Sequence, residues 1–378
     1  MRIAIDARYM RGEFSGIGVY SENLIEALGK EDRENEYVVF VHSSYRGDPN
    51  LAENFELVKD PARPVSLRTI GTFQRAIKSY NVDVLHSLFP LVPMFWQGKT
   101  VATVYDLQAL LDPEFTGGRR AWKRAAYDAF YRFAYPATFR KADYIISSSL
   151  ATKHQIAAYF PDVADKILVV HGGVDAESFG TPLPIEIDRV QERYDLPARF
   201  LFYIGSTRPN KNLMMMLDAF EEFLRLHPEQ DDLHWVLVLN PDRFFDAFFA
   251  KVREKNLLRR VQIHQQVSES EKRVFYHKAE MLYFVTKFEG FGLPVLEAQA
   301  QGLPVMASTH AALPEVAGSA ALLCDPDERD SIVGGLEKFY TDPSLREKMI
   351  EAGRINVKRF TWSKVAKEVI NLYNHLLA

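Results

Sequence analysis

The chain has 378 residues, of which 47% are hydrophobic and 25% charged, and its formal net charge is −4. This length exceeds one ordinary core, so two domains are expected, and the negative balance argues against a dedicated nucleic-acid binder. The single cysteine, Cys324, excludes an intramolecular disulfide and fits a reducing compartment.

The chain carries no sign of a leader or a membrane span. It starts with the strand-like MRIAIDARYM instead of a basic end followed by a long apolar run. Nowhere do about eighteen apolar residues follow one another, as a spanning helix would need. We therefore expect a cytoplasmic protein that binds, at most, peripherally to the inner face of the plasma membrane.

Short β-rich runs alternate with helix-length segments, the first of them at 18–30, from the start of the chain. This alternation predicts βαβ units and a parallel sheet with helices on both faces. The strands predicted in the first half lie at residues 2–7, 36–42, 82–88, 99–106, 143–149 and 166–173.

A break follows at residues 179–188, where glycine and two prolines without clear periodicity predict a linker. The rhythm then resumes, which predicts two tandem Rossmann-like domains at 1–180 and 181–360. The last segment, 361–378, has apolar residues at helical spacing and predicts an amphipathic helix that docks on a domain surface. The strands predicted in the second half lie at residues 199–206, 234–240, 261–267, 281–286, 304–308 and 321–325.

Open parallel sheets bind ligands beyond the carboxyl ends of their strands, and four such loops carry candidate residues. In the first loop, Gly16 and Gly18 precede a predicted helix and would offer backbone N–H groups to an anion. The third glycine of the dinucleotide fingerprint is missing, because Ser21 occupies that position. A purely structural tight turn is the alternative.

The second and third loops carry charge at strand ends. Asp106, after Tyr105, could orient a sugar hydroxyl or merely cap the following helix. Gly205 ends the first strand of the second domain, and Arg208 and Lys211 follow it before a helix. A cationic pair beside a helix N-terminus suits a diphosphate, and a solvated cationic surface is the alternative.

The fourth loop places Glu289 and Glu297 eight positions apart, with Gly290, Phe291 and Gly292 following the first acid. Two acids around an anion site are reasonable only if the ligand also supplies hydroxyl donors, as the ribose and hexose of a sugar nucleotide do. The alternative is a pair of carboxylates that interact with the helix dipole. That alternative does not explain why two glycines flank an aromatic residue.

Taken together, these loops resemble those of retaining family 4 glycosyltransferases of the GT-B type. The most specific match is the Glu-x7-Glu pattern in EGFGLPVLEAQAQGLPV, residues 289–305. The resemblance runs over most of the chain and implies an α/β fold of two facing Rossmann-like domains with parallel sheets and a cleft between them. Supporting matches are SGIGVYSENLIEAL, HGGVD, GSTRPNKNL, LPEVAGSAALLCDP and FTWSKVA.

The resemblance also implies roles for the matching residues. Glu297 would hydrogen-bond the donor ribose, and Glu289 would lie near the donor sugar as a positioning and electrostatic group. Tyr105 stands where many members carry a histidine that touches that sugar. The implied catalytic residues are Glu289, Asp106, Arg208 and Lys211, and the implied donor-binding residues are Gly16, Gly18, Tyr105, Gly205, Gly290, Phe291, Gly292, Leu293 and Glu297.

No metal site and no cofactor besides the nucleotide-sugar donor are implied by the resemblance. The Asp-Pro-Asp segment at 325–327 predicts a turn. The first domain would face the acceptor, and the second would bind the donor. A dehydrogenase would need a full glycine fingerprint, and a nucleotide-sugar epimerase would have no use for the Glu-x7-Glu loop.

The start of the chain is similar to bacterial mannosyltransferases of polysaccharide assembly. This similarity implies transfer of mannose from GDP-mannose to a saccharide or lipid-linked saccharide. The alternatives are a UDP-hexose donor, or a catalytically silent partner that only binds sugar nucleotides. Residues 117–143 interleave cations with aromatics, which predicts either a helix lying on anionic lipid or a core-facing aromatic stripe with solvated cations.

Overall fold

The computed structural model describes residues 1–11, 16–47, 51–112, 121–175, 180–240 and 242–377. The chain divides into two compact units. Unit 1 comprises Met1–Gly173 and Trp362–Ala378, and unit 2 comprises Val174–Thr361. Within the described ranges, no helix is long and apolar enough to cross a membrane.

Unit 1 contains a seven-stranded parallel sheet in the order β3-β2-β1-β4-β5-β6-β7. Chain order reverses between β1 and β4, which is the arrangement of a doubly wound fold. Its strands are β1 (Arg2–Asp6), β2 (Glu36–His42), β3 (Phe55–Asp60), β4 (Val84–Ser87), β5 (Lys99–Val104), β6 (Tyr144–Ser147) and β7 (Ile167–Val169). Its first six helices are α1 (Gly16–Glu31), α2 (Leu67–Gly71), α3 (Phe73–Lys78), α4 (Gln108–Leu111), α5 (Ala121–Lys141) and α6 (Leu150–Tyr159), with a 3-10 helix at Pro161–Lys166.

Unit 2 repeats the plan with a six-stranded parallel sheet in the order β10-β9-β8-β11-β12-β13. Here the chain order reverses between β8 and β11. The strands are β8 (Arg199–Ser206), β9 (Leu233–Asn240), β10 (Val261–His264), β11 (Met281–Phe284), β12 (Val305–Ser308) and β13 (Ala321–Cys324). The helices are α7 (Pro184–Tyr194), α8 (Leu213–Leu226), α9 (Phe245–Glu254), α10 (Glu269–Lys278), α11 (Leu293–Ala300), α12 (Leu313–Ala317), α13 (Arg329–Thr341) and α14 (Pro343–Asn356), with 3-10 helices at Pro209–Lys211 and Val357–Arg359.

Every predicted strand is present, most of them with shortened ends, and the two Rossmann-like sheets confirm the predicted fold class. One strand was missed. The edge strand β3 reads FELVKD, and most of its residues are only partly buried or exposed. Charged residues interrupt its apolar ones, so it lacks the continuous apolar run that identifies a strand buried on both faces.

The predicted linker at 179–188 is wrong in its second half, because α7 begins at Pro184. Proline is favoured in the first turn of a helix, where its missing N–H is not needed. The carboxylate of Glu186 accepts the N–H of Leu183 at 2.8 Å, which completes the helix start. The proline therefore marks a helix N-terminus.

The last helix, α15 (Trp362–Leu377), packs against α1 and belongs to unit 1. Its buried face includes Trp362, whose ring lies 5.2 Å from that of Tyr20. The Tyr373 hydroxyl lies 2.6 Å from Nδ1 of His86 on β4, and Nε2 of His86 lies 2.8 Å from the hydroxyl of Thr103. A buried hydrogen-bonded chain therefore joins the helix to two neighbouring strands.

We expect His86 to make the stability of unit 1 depend on pH. Burial lowers the pKa of His86 to about 3. Below about pH 6.5 the histidine is therefore protonated in the unfolded chain but stays neutral in the folded unit. The free energy of unfolding should therefore fall by more than about 1 kcal/mol for each pH unit below 6.5. Denaturant midpoints measured from about pH 7.5 to 5 should fall more steeply in the wild type than in His86→Gln. Equal slopes in the two proteins would contradict this assignment.

Candidate functional site

The strands β8 and β11 are neighbours at the point where the strand order of unit 2 reverses. Ligands of doubly wound sheets bind at the carboxyl ends of the strands at this switch point. The third and fourth predicted loops leave the sheet there, one after β8 and one after β11. The fold thus brings together two segments of the chain that lie about 80 residues apart in sequence.

The loop after β8 is fixed by hydrogen bonds at its start. A Cβ atom on Gly205 would lie 2.7 Å from the hydroxyl of Tyr203, so the position favours glycine. The backbone N–H and the hydroxyl of Thr207 donate to the Asp242 carboxylate at 2.9 and 2.5 Å. The same carboxylate accepts the N–H of Phe244 at 2.8 Å. Asp242, which sequence reasoning did not single out, therefore joins this loop to the one after β9.

Two asparagines tie the loop after β8 to the loop after β11. The Asn210 carbonyl accepts the N–H of Lys287 at 2.9 Å, and its side-chain amide donates to the Phe288 carbonyl at 3.2 Å. The Asn212 amide donates to the carbonyls of Val285 and Pro326 at 3.0 and 2.7 Å. Asn212 adopts a left-handed backbone with φ 61°, which asparagine tolerates better than most residues. These contacts fix the backbone on both sides of Lys211, which lies between the two asparagines.

Lys211 lies between the two asparagines and contacts Glu289. Its Nζ lies 2.7 and 2.8 Å from the two carboxylate oxygens of Glu289. The lysine side chain is 20% exposed and the glutamate 11%, so the pair is largely shielded from water. Arg208, in the same loop, is exposed at the start of the 3-10 helix. The structure thus joins two of the predicted catalytic residues directly.

The glycine-rich corner is shaped by Gly292, which precedes α11. Its φ of 109° is in the region that favours glycine, and a Cβ there would lie 2.6 Å from Cδ2 of Leu313. Gly290 and Phe291 are buried, and the Phe291 ring packs 5.9 Å from that of Phe360. Leu293 begins α11. The first N–H groups of a helix have no intrahelical partner and carry partial positive charge, which suits an anionic group.

The second glutamate of the pattern, Glu297, is paired with a different lysine. Its Oε1 accepts from Nζ of Lys272 at 2.9 Å, and its Oε2 accepts from the hydroxyl of Tyr276 at 2.6 Å. Burial opposes the charge of Lys272, but Glu297 and Glu269 outweigh it and raise the pKa of Lys272. Burial first, and then Glu297, raise the pKa of Tyr276 well above its usual range. The ammonium therefore stays charged and the phenol keeps its proton at neutral pH.

The two acids that looked unfavourable beside an anion site are thus each neutralised by a separate lysine. Sequence reasoning identified Lys211 but missed Lys272 and Tyr276. Those two residues are four positions apart on α10, so they share one helix face. That spacing can be read from the sequence, but the sequence does not show that this face of α10 contacts Glu297.

The remaining predicted residues lie in unit 1. Gly16 and Gly18 do not precede α1, as predicted, but form its first turn, because the helix begins at Gly16. The Tyr105 hydroxyl donates to the Leu88 carbonyl at 3.2 Å. The Asp106 carboxylate accepts the N–H of Gln108, the first residue of α4, at 2.9 Å. Asp106 thus accepts the first N–H of α4 from the position before the N-cap, Leu107, and its role toward a sugar stays a prediction.

The Asp-Pro-Asp segment forms a turn in which the N–H of Asp327 donates to the Asp325 carboxylate at 2.9 Å. Together with His310, these two acids place their ligand atoms within 4.8 Å of one another. This grouping was not foreseen from the sequence. The Asp327 carboxylate is already paired with Lys287 at 2.6 Å, and we assign no metal to the group.

Two family models match consecutive parts of the chain. Residues 14–178 match the model described as Glycosyltransferase Family 4, and residues 184–356 match Glycosyl transferases group 1. The chain belongs to glycosyltransferase family 4. The predicted family is thereby confirmed.

A full-length relative is consistent with this family 4 glycosyltransferase assignment, and solved structures show the same fold. The O-antigen chain mannosyltransferase B of Escherichia coli is 24% identical to this glycosyltransferase, with 100% of both chains covered. Sucrose-phosphate synthase from Thermosynechococcus elongatus superposes with a TM-score of 0.77 at 18% identity, covering 100% and 99% of the two chains. HepE of Anabaena, solved in complex with UDP-glucose, superposes with a TM-score of 0.71 at 13% identity, covering 99% and 100%. The fold of the chain is that of GT-B glycosyltransferases.

Proposed function

We propose that this glycosyltransferase is a retaining, metal-independent hexosyltransferase that moves mannose from GDP-mannose to a saccharide or lipid-linked saccharide. The observation that carries the proposal is the pairing of Lys211 Nζ with both carboxylate oxygens of Glu289 at the switch point of unit 2. A nucleotide-sugar donor is supported by the UDP-glucose in the HepE structure. Mannose is supported by the name of the Escherichia coli relative.

The diphosphate would bind between the loop after β8 and the start of α11. Lys211 has three N–H donors, of which Glu289 takes two, so one remains for a phosphate oxygen. Arg208, in the same loop, offers a guanidinium that suits phosphate geometry. The backbone amides at Gly292 and Leu293 add the positive end of α11. Glu297 would accept the ribose hydroxyls.

The reaction breaks the bond between the sugar anomeric carbon and a phosphate oxygen, and it forms a bond from that carbon to the acceptor oxygen. The proton of the acceptor hydroxyl passes to the leaving phosphate on the same face, which retains the configuration. Negative charge grows on the leaving diphosphate, where preorganised donors each contribute about 3 kcal/mol. In this one-face scheme Glu289, which is paired with Lys211 through both of its oxygens, acts through position and charge and forms no bond to the sugar.

A panel of nucleotide sugars with mass-spectrometric detection of the product tests this proposal. We expect transfer, or hydrolysis without an acceptor, to be fastest with GDP-mannose. Clear selectivity for a UDP-hexose would replace mannose and keep the enzyme class. Binding of a sugar nucleotide without turnover would favour the catalytically silent partner, an alternative that stays open because Tyr105 stands where the resemblance implies a histidine.

We further propose that α5 lies on an anionic membrane at the cytoplasmic face, where a lipid-linked acceptor would be found. Trp122 and Phe133 are 65% and 62% exposed, and their spacing places them about 20° apart around the helix. Exposed Ala126 and Ala129 lie between them, which gives an apolar stripe with Lys123 and Arg132 beside it. Other aromatics of the helix, Tyr131, Tyr135 and Phe139, are buried, and residues 117–120 lie outside the described ranges.

Vesicle co-sedimentation at low salt tests the membrane proposal. Replacing both Trp122 and Phe133 by alanine should lower the fraction bound to vesicles containing an anionic lipid by at least about fivefold, because the apolar stripe is lost. Phe249→Ala removes an exposed aromatic from unit 2 and should leave binding unchanged. Wild-type protein that stays in the supernatant with anionic vesicles would contradict membrane docking.

A further inference from the structure

A buried cluster of Lys272, Tyr276 and Glu297 lies behind the candidate site. Lys272 and Tyr276 come from one face of α10, and Glu297 comes from the first turns of α11. Lys272 is 3% exposed and Glu297 is 8% exposed, while Tyr276 is fully buried. Each carboxylate oxygen receives one donor, from Nζ at 2.9 Å and from the phenol at 2.6 Å. The carboxylate is therefore fixed at both of its oxygens.

The helix α10 has other attachments to the rest of unit 2 besides this cluster. The helix starts with a capping box formed by Ser268 and Glu271, and Glu271 also pairs with Arg193 of α7 at 2.6 Å. The fully buried side chains of Val274 and Phe275 supply apolar packing. A buried ion pair is, in general, a weak source of stability compared with apolar side chains of similar volume. Stability alone therefore does not account for a buried ion pair at this position.

The hydrogen-bonding capacity of Glu297 supplies that explanation. A carboxylate accepts about four hydrogen bonds, two at each oxygen. Lys272 and Tyr276 occupy one position on each oxygen, which leaves one acceptor position on each. Two remaining acceptor positions, one on each oxygen, match in number the two hydroxyl donors of a vicinal diol. The ribose of a nucleoside diphosphate carries such a diol.

We propose that Lys272 and Tyr276 are positioning residues that orient the Glu297 carboxylate for the ribose diol of the donor nucleotide. The proposal rests on the proposed function, since it requires that unit 2 binds a nucleotide. Neither residue touches the reacting sugar carbon. Their loss should therefore weaken nucleotide binding and raise the KM for the donor, with little change in kcat.

Binding of GDP and 2′-deoxy-GDP to the full chain, measured by calorimetry, tests the proposal. The wild type should prefer GDP by about tenfold or more, and Glu297→Gln should remove most of that preference. Tyr276→Phe removes only a hydroxyl and keeps the ion pair, so it should fold normally. We expect it to weaken GDP binding about tenfold and 2′-deoxy-GDP binding less than about threefold. Lys272→Met should act in the same direction and more strongly.

A matched control is available at the opposite edge of the same sheet. The Tyr340 hydroxyl donates at 2.7 Å to Glu280, which pairs with Arg199, so this cluster has the same composition of phenol, acid and cation. Tyr340→Phe should leave the affinity for both nucleotides within about twofold of the wild type.

The outcomes separate the inference from the function on which it rests. If Tyr276→Phe weakens binding of both nucleotides equally, or of neither, the positioning role is overturned and the nucleotide site stands. If the wild type binds neither GDP nor UDP, the proposed function is overturned, and the positioning role is overturned with it. A kcat that falls in Tyr276→Phe while the donor KM stays constant would also contradict positioning of the ribose.

Discussion

Replacing Lys211 by glutamine is expected to lower kcat/KM for the donor by about 10²- to 10³-fold. Two effects act in the same direction. The variant lacks a cation that would stabilise the charge growing on the leaving diphosphate. It also leaves the shielded Glu289 carboxylate without the partner that contacts both of its oxygens, so the carboxylate would repel the incoming phosphates. Both kcat and KM should therefore worsen, which initial-rate kinetics over a range of donor concentrations will show.

Lys287 provides the control for this prediction. It follows β11 in the neighbouring loop and pairs with Asp327 at 2.6 Å, but its side chain is 46% exposed and faces an exposed partner. Exposed ion pairs contribute little, so Lys287→Gln should keep kcat/KM within about twofold of the wild type. A Lys211→Gln enzyme with kcat/KM within about threefold of the wild type would remove Lys211 from the reaction.

Glu289→Gln is expected to lower kcat about 100-fold and to change the donor KM by less than about threefold. The glutamine keeps the size of the side chain but loses the negative charge, which would stabilise the positive charge that develops on the sugar carbon. Because Lys211 and Glu289 are in contact, the double variant should lose less activity than the product of the two single losses.

The control for Glu289→Gln is Glu280→Gln. Glu280 is also largely buried and paired with a cation, Arg199, but it precedes β11 and so lies at the amino edge of the sheet. Its replacement removes a comparable ion pair away from the candidate site and should leave kcat unchanged. Near-normal turnover in Glu289→Gln would remove Glu289 from the site.

Much of the fold was readable from the sequence because parallel strands buried on both faces are continuous apolar runs. The exceptions have physical reasons. The edge strand β3 mixes Glu56 and Lys59 with its apolar residues, so its pairing partner decides its structure. Pro184 was interpreted as a linker residue, although the same residue is favoured where a helix begins.

The loops that carry the candidate site could be predicted from the sequence, but the side-chain contacts between its residues could not. Glycines and charges at strand ends identified Gly292, Lys211 and Glu289, because the carboxyl edge of a parallel sheet is where ligands bind. The contacts of Lys272 with Glu297 depend on how α10 packs beside α11, and no local pattern contains that information. Asp106 shows the opposite case, since local spacing favoured a contact with the start of the following helix, and its carboxylate does accept the first N–H of α4.

The central claim is that the switch point of unit 2 holds a nucleotide sugar and cleaves its sugar–phosphate bond. The most direct measurement is the rate of product formation from GDP-mannose and a panel of UDP-hexoses, with the wild type, Lys211→Gln and Lys287→Gln assayed side by side. We predict product with the wild type and Lys287→Gln at similar rates, and at least about 100-fold less with Lys211→Gln. Equal rates in all three proteins, or no transfer by the wild type from any donor, would contradict the claim.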